Sequence, residues 1–288
     1  MTHRACLAGI TVGDGMDVAV VGALNVSPES FYSDSIVTRT DQLLRAAEAM
    51  ERAGAVAVDV GAMSTAPYLA TRISEGEEAE RLAWAVGLLA GKLGVPVSAD
   101  TARGAPARAA LAAGARIIND VTGLRGDPGV ARAVASAGAG LIVMAAERSP
   151  AAPAAPDPID VVRRLLEESL GLARDAGIAS EAIVVDPGIG FFRRSGLAWH
   201  EWDCGVLAGL ARLRALDRPI CVAVSRKSFI GILTGEGDPA RRLPGSLAAA
   251  AAAVLAGAEV IRTHDVAETL QAVRVAEAVR RSASRPGA

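Results

Sequence analysis

A chain of 288 residues with 30 basic and 32 acidic side chains, formal net charge -2, has no overall field for holding a polyanion, so any anion site has to be local. Hydrophobic residues make up 51% of it and aromatics only 3%, which implies an interior of Ala, Val, Leu and Ile and excludes a base-stacking nucleic-acid surface. The length suits one eight-fold α/β barrel and does not demand two domains.

Residues 1–16 read as an N-terminal extension without the apolar core of a signal peptide. The first apolar run, 18–24, is a strand that opens into the loop NVSPESFY beginning at Asn25. A helical period over 41–53 places Leu43, Leu44, Ala47 and Met50 on one face, and Gly54 stops it. The second strand, 55–60, leads into the loop GAMSTAPY, after which Ser74 and Glu77 have the spacing of a capping box for the next helix. Strand 96–100, helix 105–113, strand 116–119, helix 130–137 and strand 141–144 repeat the unit. The segment 147–158, rich in Ala and Pro, reads as a mobile loop inside one domain spanning 1–288, because the alternation resumes after it. Helix 159–176, strand 182–186, helix 204–216, strand 219–224, helix 245–256, strand 259–262 and helix 267–279 complete the chain.

Eight strand-helix units of this size predict an α/β fold, a single eight-stranded parallel (β/α)8 TIM barrel. An open doubly wound sheet fits less well. There is no GxGxxG after the first strand, and polar residues recur at nearly every strand end instead of at one switch point. The cysteines Cys6, Cys204 and Cys221 are odd in number and unclustered, so they read as packing thiols in a reducing compartment, and the expected location is cytoplasmic. The Ala-rich run 247–256 is too short to span a membrane, so neither a membrane nor a nucleic acid is expected as a partner.

A closed barrel would bring the strand ends to one face: Asn25, Asp59, Asp100, Asn119, Met144, Asp186, the run Ser225 to Ser228, Arg262 and His264. Asp186 ends a strand that reads as buried on both faces, and Pro187, Gly188 and Gly190 then turn the backbone toward a ligand. Asp100, Asn119 and Asp186 suit the N–H edge of a flat heterocycle, because a carboxylate accepts two such bonds at once. Arg262, His264, Lys227 and the loop amides after Asn25 are donors suited to a phosphate or pyrophosphate. Blander readings stand beside these: Asp59 as an acceptor for neighbouring loop amides, Asn119 and Asp120 as turn formers, Asp265 as a helix cap. No Ser-His-Asp or Cys-His set is visible, which disfavours covalent catalysis, and His3 and His200 receive no role.

Six motifs in order, GALNVSPESF from Gly22, SADT from Ser98, IND from Ile118, VDPGIGF from Val185, SRKSFIG from Ser225 and RTHDV from Arg262, resemble those of the dihydropteroate synthases. The resemblance implies that 6-hydroxymethyl-7,8-dihydropterin diphosphate loses pyrophosphate to an aryl amine, p-aminobenzoate in the usual case. It implies a pterin held by Asp100, Asn119, Asp186 and Lys227 with Met144 along the ring, and pyrophosphate held by Asn25, Arg262 and His264 with Mg2+ at Asn25. It also implies an amine near Lys227 and Ser228 under the first two loops, the second of which carries Thr65, and a homodimer. Lys227, Arg262 and His264 are the expected catalytic groups.

Three departures stand out. Ala66 replaces the family's pyrophosphate-gripping arginine, Ala145 replaces a histidine, and Phe192-Arg193-Arg194 stands where Gly-Lys is common. Arg193, Arg194 and Arg72 are the candidates for restoring the lost charge. The first two loops look like those of archaeal-type relatives that use a ribosylated, phosphorylated aryl amine for tetrahydromethanopterin, which leaves the second substrate open. A pterin-dependent methyltransferase domain and a non-catalytic pterin binder are the other readings.

Overall fold

The computed structural model describes residues 3–26, 36–63, 73–146, 157–193 and 197–283. Two short strands, β1 (Arg4–Leu7) and β2 (Ile10–Gly13), form an antiparallel hairpin. The barrel strands are β3 (Ala19–Asn25), β4 (Ala57–Gly61), β5 (Val97–Asp100), β6 (Ile117–Asp120), β7 (Gly140–Met144), β8 (Ile183–Asp186), β9 (Cys221–Ala223) and β10 (Val260–Thr263). All eight pair in parallel in the order β8-β7-β6-β5-β4-β3-β10-β9, and a parallel bridge between Val185 and Ile220 brings the two end strands together. The barrel expected from the alternation is therefore what the chain forms.

The described helices are α1 (Ile36–Arg52), α2 (Glu75–Ala90), α3 (Gly104–Ala112), α4 (Pro128–Ala137), α5 (Pro158–Asp175), α6 (Trp199–Gly209), α7 (Ser228–Thr234), α8 (Leu243–Leu255) and α9 (Val266–Ala283). Ser74 caps α2 as its spacing with Glu77 requires, accepting from the Glu77 amide at 3.2 Å. Helices α4 and α5 begin slightly earlier than their apolar periods, because Asp127 and Asp157 cap them and proline occupies the first turn. The helix expected over 204–216 is instead α6 followed by a 3-10 segment, Leu210–Leu216. Helix α7 lies between strand 219–224 and helix 245–256, where the alternation predicts only a loop.

Strand period explains how this barrel positions a site. Side chains alternate between the barrel interior and the helices. Val58, Val60, Ile118, Val143, Val185 and Ile261 pack outward into the larger apolar core with the helices. Ala57, Ile117, Ile142, Val184, Cys221 and Val260 point inward and form a second, smaller cluster. Two residues further along the same strands, on the same inward face, come Asp59, Asn119, Met144, Asp186, Ala223 and Arg262. The interior is thus an apolar layer beneath a largely polar one.

The hairpin closes the apolar end. Ala5, Leu7 and Val12 belong to the inner cluster, and Leu7 packs so closely on Gly140 that an added Cβ there would lie 3.0 Å from Leu7 Cδ2. His3 Nε2 lies 3.2 Å from Glu259 Oε2, and Glu259 also accepts from the Ile220 amide at 2.9 Å. Within what reads as an extension over 1–16, the described hairpin is a plug for the end of the barrel opposite the polar layer. We expect Leu7→Ala to lower unfolding free energy by about 2–4 kcal/mol in urea titrations; a midpoint equal to that of the parent chain would contradict the plug.

Candidate functional site

The centre of the polar layer is Arg262. Its Nε donates to Asp59 Oδ2 at 2.6 Å and its Nη2 to Asp100 Oδ2 at 3.0 Å. Asn119 Nδ2 donates to the same Asp59 oxygen at 3.0 Å. Burial alone would depress the guanidinium, but the two carboxylates overcome it and hold Arg262 above its ordinary pKa. Burial raises Asp100 to about 7, helped by the Asp59 charge and opposed by Arg262 and Lys227. The second oxygens of Asp59 and Asp100 are buried without a hydrogen-bond partner among the described residues, so acceptor capacity remains at the barrel mouth.

The loop after β8 supplies the next wall. Asp186 Oδ1 accepts from the Gly188 amide at 2.7 Å, and burial raises this carboxylate to about 6 against the opposing effects of that amide, Lys227 and Arg262. It remains mostly ionised at neutral pH. Gly188 and Gly190 have φ of +76° and +84°, and an added Cβ would collide with Ala145 O at the first and meet Lys227 Cδ at 3.0 Å at the second. Glycine at 190 therefore lets the lysine lie against the turn. Burial lowers Lys227 to about 8, with Asp186 pulling it upward, and its Nζ sits 4.4 Å from the Phe191 ring centroid.

His264 follows β10. Its backbone amide donates to Ser225 Oγ at 3.3 Å, and Ser225 Oγ lies 3.0 Å from its Nδ1. With the serine hydrogen turned to Nδ1, the imidazole proton sits on Nε2 and is available to a ligand. Burial and the nearby charges of Arg262 and Arg226 lower His264 to about 4, so at neutral pH it is an uncharged donor. Arg226, in a left-handed conformation with φ of 59°, is held by Asp265 at 2.6 and 3.1 Å. Asn25 is exposed at the end of β3, where its Oδ1 and Asp100 Oδ2 both converge over Gly61.

The expected residues fall into connected groups. Asp100, Asn119 and Arg262 share one network, Met144 pairs in register with Asp186, and Ser228 accepts from Arg193 Nη2 at 2.9 Å. Thr65, Ala66, Arg72 and Arg194 lie outside the described residues, as do the distinctive parts of the first two loops and most of 147–158. Three readings change. Asp59 is not a loop-amide acceptor but the shared partner of Arg262 and Asn119. Cys6 is exposed, so only Cys204 and Cys221 remain as packing thiols. Asp265 spends its carboxylate on Arg226. Asp120, by contrast, is the turn former expected, accepting from the Thr122 amide and hydroxyl at 2.9 and 2.7 Å. Asp203, unremarked in sequence, accepts from the Gly190 amide at 2.8 Å beneath the loop. Among the described residues no cluster of three or more His, Cys, Asp or Glu is poised for a metal, and no helix is long and apolar enough to cross a membrane.

Known proteins share this sequence and this barrel. Residues 21–264 match the family described as pterin binding enzymes. The chain is 37% identical over 273 residues to a dihydropteroate synthase of Escherichia coli, covering 92% of this chain and 94% of that one. It is 38% identical over 268 residues to the Mycobacterium leprae enzyme of the same name, covering 90% and 92%. Among solved structures, the Xanthomonas albilineans dihydropteroate synthase with 4-aminobenzoic acid superposes with a TM-score of 0.85 at 35% identity, covering 99% of this chain and 100% of that one. The Burkholderia cenocepacia enzyme complexed with 7,8-dihydropteroate gives 0.83 at 37% identity and 97% of both chains.

The electrostatics of the mouth can be checked in the free protein. Histidine ring resonances followed by NMR should show His264 neutral down to about pH 4, because its folded pKa is depressed from 6.5. Between those values the unfolded chain binds a proton that the folded one refuses, so this residue's contribution to stability is lost as pH falls through that window. Titration of His264 near pH 6.5 would contradict the buried, cation-flanked setting.

Proposed function

The chain belongs to the dihydropteroate synthase family of pterin-binding enzymes, and we propose that its barrel mouth carries out that family's condensation. The substrates are 6-hydroxymethyl-7,8-dihydropterin diphosphate and p-aminobenzoate, and pyrophosphate is released. The observation that carries the reading is the inward polar layer, in which Asp186 and the Asp59–Arg262–Asp100 network sit above an apolar floor.

In this reading Asp186, ionised at neutral pH, accepts from adjacent N–H groups on the pterin edge. Asp100 and Asn119 take the opposite part of the ring, and Met144, almost wholly buried, lies along its face. Lys227 belongs to both ends, reaching the pterin side through Asp186 and presenting its charge beside Phe191. The amine nitrogen forms the C–N bond at the pterin methylene as the C–O bond to diphosphate breaks, with the electron pair leaving on pyrophosphate. The proton lost by nitrogen passes to water or to the departing anion. Positive charge on the methylene spreads into the pterin ring, so stabilising the leaving anion and fixing the ring contribute most to the rate. Arg262 supplies charge and His264 a neutral N–H donor for that anion. The aryl amine is already nucleophilic and needs no strong base.

Magnesium fits this mouth as an ion carried by the diphosphate. Mg2+ commonly takes one or two protein oxygens together with substrate phosphates, and Asn25 Oδ1, exposed at the end of β3 beside Gly61, offers a hard donor for it. When bound, the ion would neutralise charge on the leaving pyrophosphate. We also read the chain as a cytoplasmic homodimer. Free cysteines at 6, 204 and 221 suit a reducing compartment, and exposed Ile232, Leu233, Leu255 and Val275 on helices α7 to α9 offer apolar surface for a second copy.

Asp186→Ala should reduce pterin-dependent pyrophosphate release by on the order of a thousandfold; near-parental release would sink the assignment. Offered p-aminobenzoate and its ribosylated phosphate in competition, the protein should yield dihydropteroate as the dominant product by mass. Dominance of the ribosylated product would move the second substrate to the archaeal-type alternative.

A further inference from the structure

The residues just after Phe191, where this sequence departs from its family's pattern, are fastened to helix α6 by two aromatic contacts. The Phe192 ring stacks on Trp202 with centroids 5.0 Å apart and planes 23° from parallel, and both side chains are buried. The next residue does the same one turn earlier on the helix: Arg193 Cζ lies 4.0 Å from the centroid of the Trp199 ring. Trp199 and Trp202 are three residues apart and so share a helix face. Held in this way, Arg193 donates from Nη2 to Ser228 Oγ at 2.9 Å. Ser228 directly follows Lys227, whose Nζ sits over the Phe191 ring.

These contacts bring together an aromatic ring, a hydroxyl and a planar cation. A flat ligand with an anionic end suits that combination. Arg193 is also one of the three arginines considered as a replacement for the cation missing at Ala66, but the hydrogen bond it makes is to Ser228, on the side expected to receive the amine. Resting on the functional reading above, we propose that Arg193, held over the Trp199 ring, determines amine specificity by taking the carboxylate of the aromatic amine in a forked ion pair beside Ser228. A guanidinium presents parallel N–H bonds that match a carboxylate, which a lysine ammonium cannot do. The contact with Trp199 removes rotamer freedom before the ligand arrives, so less entropy is lost on binding. The Phe192–Trp202 stack fixes the backbone from which Arg193 projects.

The test measures equilibrium binding of 7,8-dihydropteroate and of its carboxamide, which lacks the negative charge, to the full chain and to Arg193→Met. The substitution should weaken dihydropteroate on the order of 10- to 100-fold and change carboxamide binding by less than about threefold. Arg193→Lys should recover only part of the loss, and Trp199→Leu, which removes the platform and keeps the charge, should fall between the parent and Arg193→Met. In turnover, the KM for p-aminobenzoate should rise in Arg193→Met while kcat and the KM for the pterin diphosphate stay near parental values. Equal losses for both ligands would make Arg193 merely structural, a rise confined to the pterin diphosphate would assign it to pyrophosphate, and no change would remove it from the site; each overturns the proposal. If the parent chain itself fails to bind dihydropteroate, the functional reading falls with it. If the parent binds and Arg193→Met binds equally well, only the Arg193 assignment falls.

Discussion

A single guanidinium shared by two buried carboxylates organises this barrel mouth. Arg262 bridges Asp59 and Asp100, and Asn119 reaches the same network through Asp59. Buried charges are tolerated only when paired, and removing one partner leaves the others uncompensated. The requirement explains why three separate strands end in complementary groups at one level of the interior. It also joins what looks in sequence like two half-sites. The acceptors suited to a heterocycle and the cation suited to an anion are bonded to each other, so occupancy of one half is felt electrostatically by the other. Asp100, raised to about 7, is the member most exposed to that coupling.

Beneath the network the same strands supply an apolar layer, and beneath that the hairpin seals the barrel end. Stability and chemistry are thereby assigned to different positions two residues apart on the same strand. Small residues keep the upper layer open where groups must approach closely. Gly61 admits Asn25 and Asp100, and Gly190 admits Lys227. Larger side chains at either point would push these groups out of the mouth, although neither glycine makes a side-chain contact of its own.

Much of this was legible in the sequence because strand ends are marked locally. Apolar runs ending in Asp100, Asn119, Asp186 and Arg262 reveal the barrel and its polar rim without knowledge of register. Asp59 was harder to place, since a lone carboxylate after a strand reads equally well as a turn acceptor, and its partner Arg262 is 203 residues away. The Ser225–His264 and Arg193–Ser228 contacts, across 39 and 35 residues, are hidden for the same reason. Trp199 and Trp202 carried no signal of their role, because a tryptophan pair on a helix is indistinguishable from core until the loop it receives is known. The hairpin escaped for a different reason: strands of four residues, joined at Ala8 and Gly9, are too short for an alternating pattern to stand out from a polar terminus.

Arg262 is therefore the position at which the account is most exposed. Calorimetric titration of the parent chain and of Arg262→Lys with the pterin diphosphate and with the free hydroxymethyl pterin tests it directly, because lysine keeps the charge and loses the fork that spans Asp59 and Asp100. The account predicts weaker binding of both ligands, on the order of tenfold for the alcohol and a hundredfold for the diphosphate, which loses the ring site and the anion contact together. Parental affinity for the diphosphate, or equal losses for the two ligands, would contradict a shared guanidinium at the junction of the two half-sites.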